Sequence, residues 1–519
     1  MTAPRAASLT VVTVSPAALS PADVVRVARD GARVELSAEA VAALTRAREV
    51  IDALAASGEP VYGVSTGFGA LATRYIDPAL RAQLQRSVVR SHAAGSGPRV
   101  EREVVRALML LRLRTLASGR TGVHPDTARA YADLLNAGIT PVVREHGSLG
   151  CSGDLAPLAH CALAVMGEGE VLDADGVLVP AAQALATAGI APRELAAKEG
   201  LALINGTDGM LGMLVLACHD LRLLVRTADV AAAMSVEALL GTDRVFAADL
   251  QALRPHPGQA DSAANLTRLL AGSPVVASHR DDCAIVQDAY SLRCAPQVAG
   301  AVRDTLAHAE TVAARELAAA IDNPVVLDDG RVQSNGNFHG APLGYVLDFL
   351  AIAAADLASI SERRTDRQLD VARSHGLPPF LAHDPGVDSG HMIAQYTQAA
   401  LVSEMKRLAA PASVDSIPSS AMQEDHVSMG WSAARKLRRS VDALTQVLGI
   451  EILTAARALD QRAPLSPAAG TGAVVAALRT RVPGPGSDRP LSPEIDAAVG
   501  MVADGSLLAA AEAAVGPLA

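Results

Sequence analysis

The tripeptide Cys151-Ser152-Gly153, in the stretch GCSGDLAPLAH (150–160), holds two potential nucleophiles and one residue without a side chain. A cysteine nucleophile needs a base beside it, and His146 and His160 are near only in sequence. A small buried thiol is the simpler reading. The glycine opens a second route. With no side chain in the way, the Gly153 amide nitrogen can reach the Cys151 carbonyl carbon and close a five-membered ring with loss of water. Loss of water from Ser152 then leaves an exocyclic methylene. The product, a 4-methylidene-imidazol-5-one, is a carbon electrophile of a kind that ordinary side chains do not supply. Taken alone, the tripeptide fits equally well a helix-entry turn with Asp154 in the first helical turn.

Other reactive patterns are weaker. Gly63-Val64-Ser65-Thr66-Gly67 matches G-x-S-x-G, but a nucleophile elbow needs a strand before it and alternating strands and helices around it. A tight loop accounts for the pattern. The chain lacks G-x-x-x-x-G-K-[ST], H-E-x-x-H and G-x-G-x-x-G, so ATP, zinc-protease and dinucleotide readings lose their anchors. The histidines do not fall at metal-ligand spacing, and no metal is expected.

These loops need a scaffold, and composition says which kind. Half of the 519 residues are apolar and only 2% are aromatic, so the core must be Ala, Leu, Val and Ile, which suits closely packed helices. Long segments repeat apolar residues at three and four: 101–119, 209–241, 294–321 and 344–370. The expected fold is all-α, with long antiparallel helices in a central bundle and a smaller mixed N-terminal part. That part carries short strands at 8–14 and 33–36, capped helices beginning at Ser20 and Ser37, and an ordered Gly-rich loop over 57–75. The expected division is 1–205, 206–465, and a C-terminal piece 466–519 that contains the Pro/Gly linker 481–493.

Net charge is −10 without a block of like charge, which argues against nucleic-acid and anionic-membrane partners. Five cysteines without a C-x-x-C pair make no disulfide framework, and a reducing cytoplasm fits them. The N-terminus does not read as a signal peptide, and no 18-residue stretch is apolar and free of charge, so no membrane span is expected.

GSLGCSGDLAPLAH resembles the prosthetic-group loop of the aromatic amino acid ammonia-lyases. YGVSTGFG, QRSVVRSHAAGSG, INGT, QDAYSLRCAPQV, DNPVV, GNFHG, SERR and QEDHVSM also occur, in that family's order, across roughly residues 10 to 470. SHAAG and QEDHVSM resemble its histidine-specific branch. The resemblance implies an ammonia-lyase that converts L-histidine to trans-urocanate and ammonia, the first step of histidine degradation. It implies that the methylidene-imidazolone forms from Cys151, Ser152 and Gly153, with no exogenous organic cofactor. It also implies a homotetramer in which loops of three subunits complete each active site.

Roles follow residue by residue from the same resemblance. Tyr62 is the expected base at the β-carbon, which requires a lowered pKa or help from neighbouring donors. Arg293 would grip the substrate carboxylate with two parallel hydrogen bonds. Tyr290, three residues earlier and on the same face if the piece is helical, would support the electrophile or the amine. Gln287 and Asn205 are the expected amide donors, and Phe338 would pack near the electrophile or the substrate ring. Glu424, with Gln423, would accept an N–H of the imidazole, a bond that a phenyl substrate cannot offer. His92 is the second specificity residue. Glu362-Arg363-Arg364 reads as a structural ion-pair network. The chain departs from the family pattern at Cys151 (usually Ala), Ser65 (Asn), Asp208 (Gln) and Met422 (Asn). Competing readings are a tyrosine or phenylalanine ammonia-lyase, an aminomutase of the same family, or a helical scaffold that has lost its chemistry. The intact Tyr62, Ser152, Asn205 and Arg293 argue against the last.

Overall fold

The computed structural model describes residues 11–57, 61, 63–67, 73–280 and 285–519. The fold is mainly helical, with long packed helices and small sheets near the N-terminus. By its internal contacts the chain divides into two units. One comprises Met1–Leu216, Glu310–Leu347 and Pro411–Arg435; the other comprises Ala217–Ala309, Asp348–Ala410 and Lys436–Ala519.

The first unit opens with strand Val11–Val14, helix Pro21–Arg29 and strand Arg33–Leu36, the two strands pairing in parallel with Val12 opposite Val34. Parallel partners need a crossover, which the helix supplies. Ser20 and Asp23 start that helix with a reciprocal capping box: each backbone N–H donates to the other's side chain at 3.1 Å. Helix Arg102–Ala117 is buried at every position from Val104 onward. Two of its buried arginines, Arg106 and Arg114, donate their N–H groups to backbone carbonyls. Arg106 donates to Val27 (3.0 Å) and Leu135 (3.1 Å), and Arg114 to Pro16 and Ala318 (both 3.0 Å). Two small antiparallel sheets, Ser96–Arg99 with Arg144–His146 and Thr140–Pro141 with Glu170–Leu172 and Leu178–Pro180, hold the segment that leads into the Cys151 loop.

Among the described residues the regular elements of the second unit are all helices, and carboxylates tie them together. Glu451 is fully buried, with Arg364 Nε and Nη2 at 2.5 and 2.9 Å and the Ser361 and Ser235 hydroxyls at 2.5 and 2.7 Å. The SERR segment is therefore structural, as its place inside a long helix suggested. Breaking such a buried pair costs about 3–5 kcal/mol. Glu237 is a second clasp, taking the Ser273 hydroxyl at 2.5 Å, the Ala468 amide at 2.7 Å and the Thr471 hydroxyl. Between helices Ala469–Arg479 and Ser492–Ala503 the Pro/Gly stretch forms no regular element. Helix Ala341–Leu369 is long and apolar enough by composition to cross a membrane, and 61% of its most apolar window is buried.

Candidate functional site

The backbone around Ser152 turns through three left-handed residues, Gly150 (φ +80°), Ser152 (+49°) and Gly153 (+81°). Glycine adopts this region freely, whereas a serine there is strained. Neighbouring backbone holds the turn. The Gly153 amide donates to the Gly150 carbonyl at 3.3 Å, the Gly206 amide to the Ser152 carbonyl at 3.0 Å, and the Asp154 amide to the Gly206 carbonyl at 2.7 Å. A Cβ on residue 153 would lie 2.0 Å from the Gly206 carbonyl oxygen, so only glycine fits.

Asp154 does not act as expected. It precedes helix Leu155–Val165 but makes no side-chain cap to it. Its carboxylate instead accepts the Gly209 and Met210 amides, at 2.9 and 3.0 Å, in the first turn of helix Asp208–Ala238. The helix it caps is remote in sequence and close in space. Complete burial pushes the Asp154 carboxyl up to about 7, against the pull of those two amides. Asp208, the next carboxylate, is buried and raised by burial as well, and it faces Arg112, whose Nε donates to it at 3.1 Å. The departure from Gln at 208 therefore has a partner, a fully buried guanidinium that needs an anion beside it.

Next to this turn lies a cavity of about 450 Å³, all of it within the first unit. Its polar wall includes Ser152, His92, Asn205, Ser420, Glu424 and Arg74; Leu84, Val88, Leu155, Leu201 and Ile204 supply apolar surface. Four of the residues singled out in the sequence thus meet in one place: Ser152, His92, Asn205 and Glu424. Asn205 donates its amide to the Leu201 and Asn323 carbonyls at 3.1 and 3.2 Å, and His92 Nδ1 lies 3.1 Å from the Ser91 hydroxyl. Gln423 is exposed and Phe338 half-buried; neither is on this wall. Cys151 points to the Ser419 hydroxyl, 3.1 Å away, and burial followed by the nearby Glu424 charge pushes its thiol up. A thiol held protonated is a poor nucleophile.

One of the two histidines near Cys151 in sequence is otherwise occupied. His160 Nε2 accepts the Gly95 amide at 3.2 Å, and burial and Arg144 lower its pKa. Ser65 is buried and accepts the Val61 amide at 2.8 Å, which makes G-V-S-T-G a turn closure and not a nucleophile elbow.

Gln287, Tyr290 and Arg293 belong to the second unit. Tyr290–Arg293 forms one helical turn with the guanidinium 4.6 Å from the tyrosine ring centre, so the two side chains share a face. Tyr290 is 72% exposed. Gln287 lines a separate cavity of about 180 Å³ with Arg244, His279 and Asp288. Tyr62 lies outside the described residues. The sequence reading passed over Arg74, Ser419 and Ser420; their only signal was membership of the loops that also carry Tyr62 and Glu424.

Comparison with known proteins shows the family. The model of the aromatic amino acid lyase family matches residues 19–480. The chain is 68% identical to the histidine ammonia-lyase of Streptomyces avermitilis, over 98% of this chain and 99% of the other. It is 52% identical to that of Sorangium cellulosum, over 96% and 99%. Among solved structures it resembles a tyrosine aminomutase from Streptomyces globisporus, with TM-score 0.92, 38% identity, and 98% of this chain and 100% of that one covered. It also resembles the histidine ammonia-lyase of Trypanosoma cruzi, with TM-score 0.90, 38% identity, and 98% and 96% covered. The chain belongs to the aromatic amino acid lyase family.

Proposed function

We propose that the chain eliminates ammonia from L-histidine to give trans-urocanate. The observation that carries this reading is the single cavity walled by Ser152, the residue that would become electrophilic, and by Glu424 and His92, which would read an imidazole. The relatives named histidine ammonia-lyase, at 68% and 52% identity, support it.

The residues present fit a methylidene-imidazolone made from Cys151, Ser152 and Gly153. The turn is tight, residue 153 has no room for a side chain, and only the backbone of residue 151 enters the ring, so cysteine is no obstacle. Once formed, this group supplies a carbon electrophile for the substrate's amine. The chain's own side chains do the rest. Glu424 accepts an imidazole N–H, assisted by Gln423 and His92. Arg293 binds the carboxylate, with Gln287 and Asn205 as polar neighbours. Phe338 packs near the ring, Tyr290 supports the amine, and Tyr62 takes the β-proton. Gln287, Tyr290 and Arg293 would come to this cavity from other subunits of a homotetramer. The exposed Tyr290 is consistent with such a delivery. A cytoplasmic setting suits the free cysteines.

The test is ultraviolet absorbance of the purified protein with L-histidine, L-tyrosine and L-phenylalanine in turn, beside Ser152→Ala. Conjugated product from histidine alone, lost in Ser152→Ala, supports the proposal; product from tyrosine or phenylalanine overturns the roles of His92 and Glu424. Mixing inactive Tyr62→Phe and Arg293→Ala subunits should recover part of the activity, and no recovery would count against shared sites.

A further inference from the structure

Glu424 has a neighbour with no role so far. The Ser419 hydroxyl donates to Glu424 Oε2 at 3.1 Å and lies 3.1 Å from Cys151 Sγ. The backbones of Ser419 and Glu424 pair as well: the Ser419 amide donates to the Glu424 carbonyl at 3.0 Å and the Glu424 amide to the Ser419 carbonyl at 3.3 Å. Between them Ser420, Ala421 and Met422 turn left-handed in succession, with φ of +51°, +53° and +69°. Ser420 and Glu424 reach the cavity wall, whereas Ser419 and Cys151 do not.

We infer that Ser419 is a positioning residue for substrate recognition: its hydroxyl links the Cys151 side chain to the Glu424 carboxylate, so the loop that carries the electrophile also aims the group that reads the substrate. The direction of the bonds follows from the chemistry. A serine has one proton, and the carboxylate is the stronger acceptor, so Ser419 donates to Glu424. Its oxygen can then accept the Cys151 S–H, which burial keeps in place. Two donors in series reinforce one another in a partly dry site. A carboxylate has about four acceptor positions; Ser419 fixes its rotation, and the remaining positions are held ready for an N–H on the ligand. An alanine at 151, the usual residue of the family, would leave Ser419 without its second contact. The cysteine departure thus acquires a function through its side chain, independent of the ring to which its backbone contributes.

The inference rests on the histidine-lyase reading, and its test separates the two. Steady-state kinetics with L-histidine would be measured for wild type, Ser419→Ala, Ser419→Thr, Glu424→Gln and the Ser419→Ala/Glu424→Gln double variant. Calorimetric binding of L-histidine in the Ser152→Ala background gives a readout free of turnover, and intact mass reports the two-water deficit of the ring. Losing one hydrogen bond to a charged group predicts a KM and dissociation constant raised roughly tenfold in Ser419→Ala. The mass deficit should stay intact, kcat should change less than KM, and Ser419→Thr, which keeps the hydroxyl, should recover most of the loss. In the Glu424→Gln background Ser419→Ala should add nothing. A KM within about twofold of wild type overturns the inference, as does an effect additive to Glu424→Gln. So does loss of the mass deficit in Ser419→Ala, because the serine would then be acting on ring closure. A wild type that carries the ring but does not turn over L-histidine overturns the functional reading and this inference with it.

Discussion

Two loops face the cavity, and both turn left-handed at residues that are not glycine, yet they are held in opposite ways. In the turn Gly150–Gly153 the one strained side chain, Ser152, sits between Cys151 and Gly153, and hydrogen bonds between Gly206 and the backbone of Ser152 and Asp154 fasten the turn. In the turn Ser419–Glu424 three strained residues, Ser420, Ala421 and Met422, follow one another, and all three are exposed. A left-handed residue with a side chain costs about 1–2 kcal/mol. The first loop offsets that cost with buried polar contacts that tolerate no change. The second carries it at the surface, closed by backbone hydrogen bonds within the turn and one serine hydroxyl. The fold therefore makes the reacting turn invariant in shape and leaves the recognition turn open to adjustment.

That contrast can be broken at several points. The largest effect is expected at Gly153→Ala, where the new Cβ meets the Gly206 carbonyl at 2.0 Å. Activity should fall to background, and mass spectrometry should find no two-water deficit; a variant that retains both would show that the packing does not dictate the turn. Next is Arg112→Ala, which strands the buried Asp208 charge and should lower unfolding free energy by about 3–5 kcal/mol in denaturant titration. Restoring neutrality with Asp208→Asn should return part of it, and equal losses in the single and double variants would sink the pairing argument.

Asp154 gives a pH signature. Its folded pKa of about 7 lies above the ordinary 3.8, so between those values the folded protein holds a proton that the unfolded chain has released. This group's contribution to stability is therefore complete below about pH 4, declines as pH rises, and is lost above about pH 7. Unfolding titrations of Asp154→Asn against wild type should diverge over that window in the variant's favour; parallel curves would contradict the assignment. The smallest effect is expected at the other loop. Met422→Gly relieves one strained residue and should gain up to about 1 kcal/mol of stability, set against the extra freedom of the unfolded chain. A clear loss there would mean that the recognition loop is as tightly specified as the reacting one.

Much of the helical architecture was legible because it is periodic. Apolar spacing marked the long helices, and Ser20 announced a helix cap by its type and place, with Asp23 completing the box in the structure. The loops were legible as motifs, and four motif residues do meet in one cavity. What could not be read were partnerships across long separations. Nothing near Asp208 in sequence points to Arg112, 96 residues away. Asp154 looked like the first-turn acid of its own helix because local rules assign a cap to the nearest helix, whereas its carboxylate answers to amides 55 and 56 residues further on. Tyr290 and Arg293 belong to the second unit of the chain, a division that no spacing rule could reveal.

The Asp154 carboxylate has a practical consequence for anyone who would graft this electrophile onto another scaffold. Segment 148–154 does not hold its shape by itself. Gly206 supplies the carbonyl and amide on which it rests, and Gly209 and Met210 supply the amides that anchor Asp154. The Met429 amide also donates to the Leu149 carbonyl at 3.1 Å, so the transplantable module is discontinuous, residues 148–154 together with 206–210 and 429, and a donor helix must begin where Asp208 does for the turn to survive the move.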